Sequence, residues 1–133
     1  MITHFDIVLE HYKARQKFLD NINYYFDEIY RFYTSKAKDV KIYLFGSYLT
    51  DKFNVRSDID ILVIAIEFES WKIRSKISVD MNQKLGDYNP FEIQHITPED
   101  YQNWYGKFIK QKKVVKSSNN FKKPDCRVSW LHE

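Results

Sequence analysis

The sequence predicts an α/β (α+β) domain: a small β-sheet flanked by helices, with a long helix at the N-terminus. Three observations carry that prediction. Apolar residues recur at helical spacing through the first 37 residues. Three short runs rich in β-branched and aromatic residues follow, at 40–45, 58–64 and 91–96. Helical patterns separate the last two runs and follow the third. At 133 residues and 44% apolar, the chain fits one domain with a real core. It is expected to divide into an N-terminal helical segment (1–37), a core (38–112) and a basic C-terminal tail (113–133).

Taken in order, Thr3 followed by Asp6 gives a capping-box start. Val8, Tyr12, Arg15, Leu19, Ile22, Phe26, Ile29 and Tyr33 then form one helical stripe whose single polar member is Arg15. Asp20 and Asn21 disfavour helix interiors and mark a break. Tyr24, Tyr25, Tyr30 and Phe32 lie off the stripe. They either cover the sheet or form a surface for another chain. In the first strand, Val40, Ile42 and Leu44 share a face opposite Tyr43 and Phe45. Gly46-Ser47 ends it, with a short helix expected over 48–52 and a loop over 53–57. In the second strand Ile59, Ile61 and Val63 share one face, and Asp58, Asp60, Leu62 and Ile64 the other. Ser70 caps the next helix, whose apolar positions are Trp71, Ile73, Ile77 and Met81, and Gly86 closes it. After the third strand, Thr97-Pro98-Glu99-Asp100 starts a helix expected to run to about Lys112. Val114-Val115 and the segment around Val128 and Trp130 are candidate short strands.

The chemistry concentrates between residues 40 and 65. Asp58 and Asp60 are two apart on a strand, so both carboxylates project from one face, about 6–7 Å apart at Cα. Acids on an otherwise apolar strand are costly unless something positive neutralises them. The strand holds no Lys or Arg, and a divalent cation such as Mg²⁺ would serve. The plain alternative is a strand end whose acids face water. Gly46 allows close backbone approach, and Ser47 at a helix start offers a hydroxyl and an N–H suited to phosphate.

The order Phe45-Gly46-Ser47, ten residues, Asp58-Ile59-Asp60-Ile61 resembles the signature of the DNA polymerase beta-like nucleotidyltransferase superfamily. It is most similar to the minimal nucleotidyltransferase domain proteins of prokaryotes, especially archaea. The resemblance spans roughly residues 38–111. It implies a nucleotidyltransferase fold with a small mixed sheet. It implies that Gly46 and Ser47 hold the triphosphate of an NTP, ATP before others, and that Asp58, Asp60 and a later Glu92 hold two Mg²⁺ ions. The implied reaction moves a nucleoside monophosphate, such as AMP, to a hydroxyl of a protein or RNA. Many relatives carry Arg-Gly shortly after Gly-Ser. Here Thr50 and Asp51 stand in that place, which leaves Lys52 and Arg56 as the basic residues near the nucleotide. The resemblance also implies a partner: such proteins often act as the antitoxin of a separate HEPN-type helical protein in a toxin–antitoxin pair. The competing reading is a binding module of the same fold with weak or no catalysis.

Charge is uneven. Residues 1–106 carry 13 Lys/Arg and 16 Asp/Glu, a net of −3, while residues 107–133 carry 8 and 2, a net of +6. The basic end could track an RNA backbone or be simply a solvated face. His4, His11, His95 and His132 are scattered and do not suggest a metal site. The lone Cys126 allows no internal disulfide. No signal-peptide pattern or membrane-length apolar run is present, so a cytoplasmic protein is expected, as a homo-oligomer or in a hetero-complex.

Overall fold

The computed structural model describes residues 2–105 and 112–115. Residues 106–111, Cys126, the candidate strand around Val128 and Trp130 and most of the basic tail lie outside the described residues. Helix α1 spans His4–Asp20 and opens on a reciprocal capping box between Thr3 and Asp6. Asn21 ends it and starts α2, Ile22–Lys36, its side chain donating to the Lys17 carbonyl. The break expected at Asp20–Asn21 is there because Asn21 offers the backbone that alternative partner.

Four strands follow: β1 Lys41–Phe45, β2 Ile59–Ile64, β3 Phe91–Ile96 and β4 Lys112–Val114. They form one mixed sheet in the order β3-β2-β1-β4. β1 is antiparallel to both β2 and β4, whereas β2 and β3 are parallel. The parallel pair needs a crossover, supplied by a 3-10 turn at Ile66–Glu69 and helix α3, Trp71–Leu85. Ser70 accepts from the Ile73 N–H at its start, and Gly86 closes it with φ +92°, in the left-handed region.

The two faces of the sheet differ. On one, Ile42, Leu44, Ile59, Ile61 and Val63 pack under Ile22, Phe26, Ile29 and Tyr33 of α2 and Ile77, Met81 and Leu85 of α3. Tyr25, Tyr30 and Phe32 pack against this core, so three of the four off-stripe aromatics cover the fold, while Tyr24 is exposed. The other face holds a smaller cluster of Leu62, Ile64 and Ile96 with Tyr43, Phe45 and Tyr101. Among the described residues, no helix is long and apolar enough to cross a membrane.

Three local expectations differ. Trp71 and Ile73 are exposed, because α3 turns only Ile77, Met81 and Leu85 inward. The short helix after β1 comes earlier, as a 3-10 turn at Gly46–Leu49. The helix capped by Thr97 (α4, Pro98–Asp100) passes into a π turn at Tyr101–Tyr105, and Lys112 lies in β4 instead of that helix. Pairing of β4 with β1, together with the Val115 N–H bond to the Ile42 carbonyl, holds the strand there.

Candidate active site

The site is set by register. Because β2 buries Ile59, Ile61 and Val63 under the helices, Asp60 must face the other way. Parallel pairing sets Asp60 beside Glu92, and antiparallel pairing sets it beside Phe45. A row Glu92–Asp60–Phe45 therefore crosses the open face, its neighbouring strands about 4.8 Å apart. Asp58 stands just before β2, next to this row.

Gly46 follows Phe45 with φ +78°. A Cβ there would lie 2.3 Å from Asp60 Oδ2. Only glycine lets the chain turn in the left-handed region while resting against that carboxylate. Tyr48, fully buried against Phe26 and Phe53, anchors the turn from below. Thr50 closes it, its N–H and hydroxyl both donating to the Ser47 carbonyl at 2.9 Å.

The electrostatics are unbalanced. Burial first, then the carboxylates of Glu92 and Asp58, raise the Asp60 pKa to about 6. Among the described residues, Asp58 is the one acid of the three that is ion-paired. No three His, Cys, Asp or Glu side chains among the described residues converge closely enough to hold a metal unaided. The three acids thus share a region and repel one another without meeting at a point. Carboxylate oxygens carrying excess negative charge are the kind of donor that Mg²⁺ takes.

Arg15 is the residue that sequence reasoning missed. Its Nε donates to the Val55 carbonyl at 3.0 Å, and one Nη donates to the Ser57 carbonyl at 2.5 Å and to Asp58 Oδ1 at 3.2 Å. The signal was the single charged side chain in an apolar stripe. The basic residues expected near a nucleotide lie on the same loop. Arg56 sits over the Tyr12 ring at 5.9 Å, and Lys52 is exposed. His95 lies on the helix-covered face of the sheet, with Tyr33 Oη 2.5 Å from Nε2 and Ser78 Oγ 3.4 Å from Nδ1.

The family model of the nucleotidyltransferase domain matches residues 26–120. The chain belongs to this nucleotidyltransferase family. It is accordingly a transferase, with an NTP as the substrate class. No curated protein matches the nucleotidyltransferase significantly. The crystal structure of a candidate nucleotidyltransferase superposes with a TM-score of 0.58 and 24% identity, over 67% of this chain and 95% of the other. It shares the fold. A second such structure, from Sulfolobus solfataricus, gives 0.49 and 17% over 80% and 83% of the two chains.

Proposed function

We propose that this nucleotidyltransferase moves a nucleoside monophosphate, AMP before others, from an NTP to a hydroxyl of a protein or RNA. The observation that supports the reading most is Asp60, raised toward neutrality between Glu92 and Asp58 and pressed against Gly46. Asp58, Asp60 and Glu92 would hold two Mg²⁺ ions. Bound there, the metal would offset charge on the triphosphate and acidify the acceptor hydroxyl. Gly46 and Ser47 would bind phosphate oxygens, with Lys52 and Arg56 as further cations on the neighbouring loop. The acceptor oxygen forms a bond to the α-phosphorus, the bond to the bridging oxygen breaks, and pyrophosphate leaves. Glu92 would take the acceptor proton. The fold's share is positioning and charge neutralisation.

A separate HEPN-type helical protein is the acceptor we favour. The exposed Ile2, Phe5 and Ile7 at the start of α1 offer it an apolar surface. The test is incubation with α-labelled NTPs, MgCl₂ and cell extract. Label in a protein supports this reading, and label in RNA moves the acceptor to nucleic acid. No label with any NTP would favour the binding module, which the Thr50-Asp51 pair also suits.

A further inference from the structure

Helix α1 precedes the matched residues 26–120, yet it reaches the acid end of the sheet. β2 and β3 are parallel, so their first residues lie at one end, with Asp58, Asp60 and Glu92. α1 touches that end at several points. His11 packs edge-on against Tyr88 at 4.3 Å, in the turn leading to β3. Phe18 lies 6.2 Å from Phe91, the neighbour of Glu92. Tyr12 lies under Arg56, and Arg15, three residues further and on the same helix face, takes the Val55 and Ser57 carbonyls and Asp58.

We propose that Arg15 is a positioning residue for Asp58, which makes α1 a working part of the active site. The inference rests on the reading of Asp58 as a metal ligand. Its force comes from the fork. Two of the three acceptors are backbone carbonyls, which fix the guanidinium whether or not a cation is present. The third is one oxygen of Asp58, which leaves Oδ2 for a metal. The Arg15 side chain is 12% exposed and that of Asp58 is 54% exposed, so the arginine is the packed, fixed partner and the aspartate the accessible one. The loop adds its own rigidity: Asn54 Oδ1 accepts from the Arg56 N–H and the Asn54 carbonyl from the Ser57 N–H, both at 2.9 Å. Arg15 ties this turn to the helix and sets the Asp58 carboxyl at the mouth of β2. A lysine keeps the charge but cannot reach three acceptors with one planar group.

The test is Mn²⁺ binding to the full-length protein, by electron paramagnetic resonance, for wild type, Arg15→Lys, Arg15→Gln and Asp58→Asn. Melting without metal reports any purely structural share. Both Arg15 variants are expected to bind Mn²⁺ about tenfold more weakly, as when a ligand loses its orienting partner. Their Mn²⁺-induced rise in melting temperature should shrink in step. If Arg15→Gln does not fold, Arg15→Lys carries the test, since its stem still packs. Wild-type or tighter Mn²⁺ binding by Arg15→Lys would overturn the positioning role. Wild-type binding by Asp58→Asn would instead overturn the reading of Asp58, and the inference with it.

Discussion

Asp60 and His95 lie on adjoining strands, on opposite faces of one sheet, and both depart from ordinary protonation. His95 is lowered to about 4, by burial and then by Arg74. Asp60 is raised to about 6, by burial and then by two further carboxylates. The difference lies in how each is answered. His95 finds a hydroxyl at each ring nitrogen, from α2 and from α3, so a neutral ring is satisfied within the fold. Asp60 is answered by more negative charge. A group whose perturbation is resolved internally belongs to the structure. A group left in deficit is where an external cation gains most.

Activity separates the two sides of the sheet most sharply. Asp58→Asn or Asp60→Asn should lower Mg²⁺-dependent transfer at least about a thousandfold, the loss of several kcal/mol of transition-state stabilisation. Circular dichroism should stay that of the folded protein. Full activity in either variant would sink the assignment. Gly46→Ala comes next. The new Cβ must displace the Asp60 carboxylate and sit at φ +78°. We expect about a hundredfold loss of transfer, typical of a misplacement of about 1 Å, with a backbone cost of about 1–2 kcal/mol in urea unfolding. If both quantities stay at wild-type values, Gly46 does not shape the site.

A smaller effect tests the His95 side. Its folded pKa lies below the unfolded value of 6.5. The unfolded chain therefore binds the proton more tightly, and stability falls as pH drops from about 6.5 toward 4. The His95 share of that loss is about 2 kcal/mol once solvent screening is allowed for, read in urea titrations as the difference between wild type and His95→Gln, because Asp60 offsets part of it in the wild type. His95→Gln should flatten the slope, and an unchanged slope would acquit His95. Asp60 acts with the opposite sign. Its folded pKa is raised, so stability falls as pH rises from about 4 to 6 and stays reduced above, by about 1 kcal/mol after screening.

Much of the fold was legible because its signals are local. The period-two alternation of residues 58–64 fixes which face Asp60 takes, and the Thr3 and Ser70 caps mark helix starts. The Asn21 break follows from side-chain chemistry alone. What escaped depends on distant partners. Lys112 looked helical because Tyr101, Trp104, Tyr105 and Phe108 recur at helical spacing. The sequence marks Val114-Val115 as a candidate strand, but the start of the three-residue strand β4 at Lys112 comes from pairing with β1, some seventy residues earlier. Trp71 and Ile73 fit the α3 stripe, yet the stripe rotates past them before it meets the core. Arg15 stood out in the stripe, but its partners are some forty residues away and two are backbone carbonyls, which carry no mark in a sequence.

The Asp60 carboxyl is held in an electrostatic deficit, and we propose that a divalent cation relieves it. The most direct measurement is its titration by carbon-13 NMR, first in EDTA and then with saturating MgCl₂. We predict a midpoint near pH 6 without metal, falling below the ordinary aspartate range of about 4 with Mg²⁺. A midpoint near 4 in EDTA that Mg²⁺ leaves unmoved would contradict the account.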